Sequence, residues 1–386
     1  MTQDPHILLA VPRLLADGLW TGPMTLRIAD GRIAAIAEGV LPGADTLCGG
    51  ALTAGLLDLH NNGAFGVDFA TADAPQWSAV LAGFAACGVT GVLATVITQP
   101  IPAIHAAMLQ ARSAAGLEAP VARVLGVHLE GPYLLPARRG AHLAEWLQEP
   151  SPAALDTLLG DAATRTMLRL VTLAPELPHA LDAIRRLVAA GIIVSLGHTD
   201  ADAAQVGAAA DAGATMVTHL FNAMRPFSHR DPAVPGAALC DPRLFCGLIV
   251  DGVHVDPLAC RLALQAAPGR IVAVTDSIVV AGMAEGTTLE FGGAPVTVGA
   301  DGAGRRADGT LSGAGITLDA GVRRMIAAGL DPAVVLHAAT AAPAQVLGRH
   351  DLGRIAPGAL ADLVWWDEDW RPRRVWIGGR EVHHGG

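Results

Sequence analysis

The chain has 386 residues, of which 52% are hydrophobic and 16% charged, and its formal net charge is −10. That apolar content excludes a disordered chain, and the length calls for one large core plus a smaller one. The acidic balance argues against nucleic acid and anionic membranes as partners, since both want a basic face.

All 26 basic residues are arginine. A Schiff-base lysine, a P-loop lysine or a carbamylated-lysine metal bridge is therefore impossible here. The start, MTQDPHILLA, has no basic segment leading into an apolar one. No run approaches the roughly 18 apolar residues of a membrane helix. The five cysteines (Cys48, Cys87, Cys240, Cys246, Cys260) form no CxxC pair. Reduced thiols and a cytoplasmic setting are expected, with Cys240 and Cys246 as small buried or half-buried residues.

In chain order, Met24–Ile36 alternates apolar and polar residues around Asp30-Gly31, a strong hairpin signal. Eight strand-like apolar runs follow: Leu56–His60, Gly91–Thr98, Val124–Glu130, Met167–Ala174, Ile192–His198, Thr215–Leu220, Leu244–Val250 and Ile271–Asp276. Ala-rich segments of helical period, such as Leu181–Ala190 and Asp200–Ala212, lie between them. Strands alternating with helices predict parallel βα units, and eight units over roughly 220 residues fit an α/β fold of the (β/α)8 TIM-like barrel type. An open doubly wound sheet is the rival. It calls for a GxGxxG turn after the first strand, where this chain reads LDLHNNG. Near the end, Gly358–Trp366 reads as a strand and RRVWIGGREV as a hairpin about Gly378-Gly379. The two termini are expected to build one small β-sandwich, from residues 1–52 with 346–386, leaving 53–345 for the barrel.

Active sites of such barrels form at the C-terminal ends of the strands. Here those ends carry His60 and Asn62, Glu130, His198, His219 and Asp276, and strand seven is followed by Asp251 and His254. Any one of them has a bland reading, Asp276 as a helix cap and His254 as a turn residue. Together they deliver titratable groups from six of eight strands to one face. Glu130 with His198 and His219 makes two histidines and one carboxylate, three ligands with room for water, the pattern of a catalytic zinc. Iron or manganese would suit the same set. A bound ion would bring its water's pKa from about 15.7 towards about 7. Asp276 stands where it could take that water's proton and return it to a leaving amine. His128 shares strand parity with Glu130 and reads as a supporting or packing residue. His105, His179, His337, His350, His383 and His384 read as surface positions.

The motifs HLEGPY…RRGAH, LGHTDAD, THLFNAMRPFSHRDP, DGVHVDP, VTDSIVVAG and GTLSGAGITLD stand in one order along the chain. In this the sequence resembles the N-acetylglucosamine-6-phosphate deacetylases of the amidohydrolase superfamily, over nearly its whole length. The resemblance implies a metal held by Glu130, His198 and His219, with Asp276 as general base and then acid. It implies that His142 contacts and polarises the acetyl carbonyl near Ala141, that Asn222 and Ala223 offer polar groups to the sugar phosphate, and that Arg230 and His254 bind the phosphate. Leu311, Ser312 and Gly313 would line the sugar pocket. An arginine like Arg230 can come from the partner subunit in such enzymes, which implies a homodimer. Arginine suits a phosphate because its planar fork matches the phosphate oxygens. The products implied are acetate and an amino-sugar phosphate.

One departure stands out. Where many relatives read His-x-His at the first strand end, this chain reads His60-Asn61-Asn62. Asparagine is a weak ligand, so one tightly held divalent ion per subunit is expected, zinc favoured, with at most a weak second ion at His60 and Asn62. The alternatives are the same reaction on N-acetylgalactosamine 6-phosphate, a cyclic-amide or deaminating amidohydrolase, or a non-catalytic sugar-phosphate-binding relative. Arg230 and the HLFNAM motif count against the second of these, and the complete ligand set with Asp276 counts against the third.

Overall fold

The computed structural model describes residues 6–119 and 121–385. Residues 1–5, on which the expectation of no leader segment partly rests, lie outside the described residues. Eight parallel strands form one sheet in simple sequential order: Leu56–Asn61, Val89–Ile97, Arg123–Glu130, Leu168–Leu173, Ile193–Leu196, Met216–Val217, Phe245–Ile249 and Ile271–Val274. All eight expected strands are present. Parallel strands buried on both faces read as continuous apolar runs, and Val89–Ile97 is buried at every position. The helices between strands cover the outside; the one at Ala203–Asp211 starts with a reciprocal cap between Asp202 and Gln205.

The ring closes between strands eight and one largely through a buried side chain. Asp58 accepts from Thr275 Oγ1 at 2.6 Å, from the Thr275 N–H at 3.3 Å and from Asn61 Nδ2 at 3.0 Å. Backbone bonds from Asp276 N–H to His60 O and from Asn62 N–H to Ser277 O, both 2.8 Å, continue the seam. This seam lies directly beneath two of the expected site residues.

Outside the barrel, a four-stranded sheet contains Ile7–Val11, Met24–Ala29, Arg32–Glu38 and Asp45–Thr46. A six-stranded sheet joins Leu14–Ala16, Leu19–Thr21 and Ala51–Ala54 from the N-terminal part to Leu363–Trp366, Pro372–Ile377 and Arg380–His384 from the C-terminal part. Both expected hairpins form, and the turn residues Asp30 and Gly31 (φ 51° and 72°) and Gly378 and Gly379 (φ 57° and 73°) take the left-handed conformation that such two-residue turns need. Strand alternation welds the sheet to the barrel. Val364 and Trp366 pack into the barrel-side core, whereas Leu363 and Trp365 pack into the core between the two outer sheets. Burying each of these large side chains contributes about 1.5–3 kcal/mol.

One element was not anticipated. After strand eight, Thr288–Phe291, Ala294–Val298, Ala303–Arg305 and Leu311–Ala314 form a four-stranded antiparallel insert. Its signal was present in EFGGAPVTV, where Gly292 and Gly293 (φ 57° and 75°) make the turn. Among the described residues no helix is long and apolar enough to cross a membrane.

Candidate active site

Three expected strands stop short of their apolar runs, each two residues before a site residue. His198, His219 and Asp276 have φ of 50°, 31° and 51°. Left-handed backbone at non-glycine residues costs on the order of 1 kcal/mol or more each and gathers at functional sites. Here it turns the three side chains in towards Glu130.

His198 Nε2 and His219 Nε2 each stand 3.1 Å from Glu130 Oε1, and 3.0 Å from one another. All three side chains are buried. The tautomer of His198 follows from its other nitrogen. Nδ1 lies 2.8 Å from the Arg138 carbonyl, which only accepts, so Nδ1 carries the proton and Nε2 presents a lone pair. That lone pair faces a carboxylate oxygen with no hydrogen between them. A divalent cation satisfies such a convergence of acceptors, so the residues fit the metal that the sequence predicted. Burial alone would raise the Glu130 carboxyl, but the charge on His60 and the hydrogen bond from His142 hold it well below the usual carboxylate range.

His142 is a different kind of histidine. The Thr98 backbone N–H donates to His142 Nδ1 at 3.3 Å, and the Thr98 hydroxyl oxygen lies 2.8 Å from the same nitrogen. A backbone N–H can only donate, so Nδ1 is the bare nitrogen and Nε2 carries the proton. Nε2 lies 3.5 Å from Glu130 Oε2. His142 also falls within 4.8 Å of Glu130 and His198 as a possible ligand group. Its tautomer makes it a donor towards the site instead, and burial keeps the ring neutral by pushing its pKa down.

Asp276 Oδ1 accepts from Asn62 Nδ2 at 3.0 Å and lies 3.1 Å from His60 Nε2. Burial would raise the Asp276 carboxyl; the adjacent His60 outweighs it and keeps the carboxyl low. His60 also lies 3.4 Å from Glu130 Oε2, and these three residues form a second possible ligand group within 4.8 Å. Beneath this layer, His128 Nε2 meets Thr172 Oγ1 at 2.7 Å, and its ring stands edge-on to His60 at 4.6 Å between centroids.

These groups open into a cavity of ≈ 540 Å³, within the usual range for small-molecule sites. Of the expected site residues, Asn62, Glu130, Ala141, His142, His198, His219, Asn222, Ala223, His254, Asp276, Leu311, Ser312 and Gly313 all line it. His254 is positioned by Asp251, whose Oδ2 lies 2.6 Å from Nδ1. Asn222 donates to the His219 and Leu220 carbonyls at 3.3 and 3.4 Å. His60 sits behind the lining, and Arg230 is not brought in: it lies on an exposed loop of the chain. A second cavity of ≈ 330 Å³ is lined by His337, Arg349 and Arg354. Its arginines are already paired, with Asp351 at 2.8 Å and Asp17 at 3.7 Å.

Some minor expectations need correction. Cys240 is exposed, at the end of the helix Ala233–Cys240. His105, His337 and His383 are half-buried, and His105 Nε2 contacts the Leu158 carbonyl at 3.1 Å. Sequence reasoning also missed Thr98 and Glu176. Glu176 takes the Asp200 N–H at 2.7 Å and the Thr199 hydroxyl, fixing the turn after His198. Asp200 in turn pairs with Arg138 at 2.6 Å, the residue whose carbonyl holds His198. A glutamate directly after Leu173-Ala174-Pro175, at the end of strand four, was the available signal.

The amidohydrolase family model matches residues 51–382. The chain belongs to the amidohydrolase family. A metal-dependent family thus coincides with a buried cluster able to hold a metal. Among relatives of this amidohydrolase, N-acetylgalactosamine-6-phosphate deacetylase from Escherichia coli O157:H7 is 39% identical over 97% of this chain and 98% of its own. N-acetylglucosamine-6-phosphate deacetylase from Homo sapiens is also 39% identical, over 87% of this chain and 84% of its own. Among solved structures, a mutant N-acetyl-D-glucosamine-6-phosphate deacetylase from Mycobacterium smegmatis, in complex with N-acetyl-D-glucosamine-6-phosphate, is similar with a TM-score of 0.91. It is 34% identical and covers 98% of this chain and 99% of its own.

Proposed function

We propose that this amidohydrolase removes the acetyl group of N-acetyl-D-glucosamine 6-phosphate, giving D-glucosamine 6-phosphate and acetate. The observation that carries the reading is the convergence of His198 Nε2 and His219 Nε2 on Glu130 Oε1, each at 3.1 Å, with Asp276 lining the same cavity. The names of its relatives supply the substrate class.

Glu130, His198 and His219 would hold one divalent ion, zinc by preference, with iron or manganese as alternatives. Such an ion supplies Lewis-acid polarisation of the amide carbonyl and a more acidic water. The chain's own groups do the rest. Asp276, steadied by Asn62, accepts the proton of the attacking water and delivers it to the departing nitrogen. His142 donates from Nε2 to the acetyl carbonyl oxygen as negative charge develops there. His254 and the polar groups of Asn222 and Ala223 hold the phosphate end, so that remote binding energy positions the amide.

Arg230 belongs to the same reading through a second copy of the chain. It shares its exposed loop with Phe227, a residue 57% exposed, and the two would meet the partner in a homodimer, Arg230 reaching the partner's phosphate site. The division into a terminal β-sandwich (1–52 with 346–386) and a catalytic barrel (53–345), and a cytoplasmic setting for a chain with five unpaired thiols, are part of this proposal.

The second reading is the galactosamine epimer, favoured by the relative from Escherichia coli O157:H7. Acetate release from the two epimeric 6-phosphates and from unphosphorylated N-acetylglucosamine separates them. The glucosamine reading expects the highest kcat/KM on N-acetylglucosamine 6-phosphate; a preference for the epimer would reassign the substrate. Loss of the preference for phosphate would remove His254 and Arg230 from their roles.

A further inference from the structure

The pocket has two facing walls. Residues 140–142, from the loop after strand three, form one, and residues 309–313, from the insert sheet, form the other. The insert also packs closely on its surroundings: a Cβ at Gly292 would meet Ile97 Cδ1 of strand two at 3.0 Å, and one at Gly293 would meet Leu143 Cδ1, next to the first wall, at 3.3 Å. A polar strap also crosses between them. Arg306 lies in the turn joining the last two insert strands, where its N–H donates to Thr310 O at 3.0 Å and its carbonyl accepts from Gly309 at 2.9 Å. Its side chain reaches over to donate from Nη2 to the Ala141 carbonyl at 2.8 Å. The Arg306 Nε is buried with no hydrogen-bond partner.

A guanidinium held in this way joins the two walls by one charge-assisted bond, made to the backbone of the residue beside His142. Thr98 fixes the His142 ring from strand two, and Arg306 fixes the adjoining backbone from the insert. We infer that Arg306 is a specificity-determining residue: by holding the Ala141 carbonyl it fixes the width of the acyl end of the pocket, and hence the length of acyl chain admitted. This rests on the deacetylase reading above, which places Ala141 and His142 at the acyl end. A rigid wall lets a pocket discriminate one methylene by about tenfold or more; a wall released from its strap does not.

The test compares the metal-loaded protein with R306M, which keeps the stem and loses the donors, and R306K, which keeps one donor. kcat/KM is measured on N-acetyl-, N-propionyl- and N-butyrylglucosamine 6-phosphate, and amide hydrogen exchange is followed over residues 137–143. R306M should shrink the acetyl-to-propionyl ratio by about tenfold, the size of one charge-assisted bond, while R306K retains most of it. Exchange over 137–143 should quicken in R306M, with its metal content and melting temperature close to those of the parent. An active R306M with an unchanged acyl ratio overturns the inference. If the parent releases no acyl group at all, the deacetylase reading fails by itself. The exchange measurement still decides the strap: equal protection in parent and R306M shows that Arg306 does not hold that wall.

Discussion

Asn62 Nδ2 donates to Asp276 Oδ1 at 3.0 Å, so the amide two residues after His60 is used to orient the carboxylate across from it. The Asn62 side-chain oxygen is buried without a partner. The expected outcome is that Asn62→Ala lowers kcat by about tenfold to a hundredfold, the range for losing a hydrogen bond to a charged group, with metal content unchanged. Asn62→His should create a His-x-His pair and raise metal content from one towards two equivalents per chain. Elemental analysis after gentle purification reads both. Two equivalents in the unmodified protein would contradict the one-ion account.

Asp276 Oδ1 accepts from the Asn62 amide and also lies 3.1 Å from His60 Nε2, which leaves Oδ2 for proton transfer. Asp276→Asn keeps the shape and removes the base. Turnover should fall by about 10²–10⁴-fold, the usual contribution of general acid–base catalysis, with the ion retained. Near-normal turnover with metal present would take Asp276 out of its role.

The His254–Asp251 pair gives a pH dependence of known sign. Burial by itself would strip the His254 proton, but the Asp251 carboxylate outweighs it and lifts the His254 pKa above its ordinary 6.5. The imidazolium is therefore present below that raised pKa and is lost as pH climbs through it. KM for a 6-phosphate substrate should rise over that alkaline limb, with kcat less affected. His254→Asn should start with a higher KM and show no such limb. A KM that is flat with pH in the unmodified protein would exclude His254 from phosphate binding.

The barrel was legible because its strands are buried on both faces and read as unbroken apolar runs, from Leu56 to Val274. The ends of strands five, six and eight were read too long for one reason: His198, His219 and Asp276 leave the strand conformation with φ of 50°, 31° and 51°. The residue types of the site were visible at the strand ends, but their protonation was not. The tautomer of His198 depends on the Arg138 carbonyl, and that of His142 on Thr98. Both partners are far away in the chain and carry no pattern of their own. The insert sheet escaped notice although Gly292-Gly293 marked its first turn, because its short strands follow the last barrel strand without a composition change. Arg230 was named from resemblance, and a single chain does not bring it to the pocket.

The central claim is that Glu130, His198 and His219 hold one ion on which the reaction depends. The most direct measurement strips the protein with chelator and titrates zinc back while following acetate release from N-acetylglucosamine 6-phosphate. The account predicts no release without metal and a linear return that saturates at one equivalent per chain, with His219→Asn weakening the ion's binding. Full acetate release by the metal-free protein, or saturation reached only at two equivalents, would contradict it.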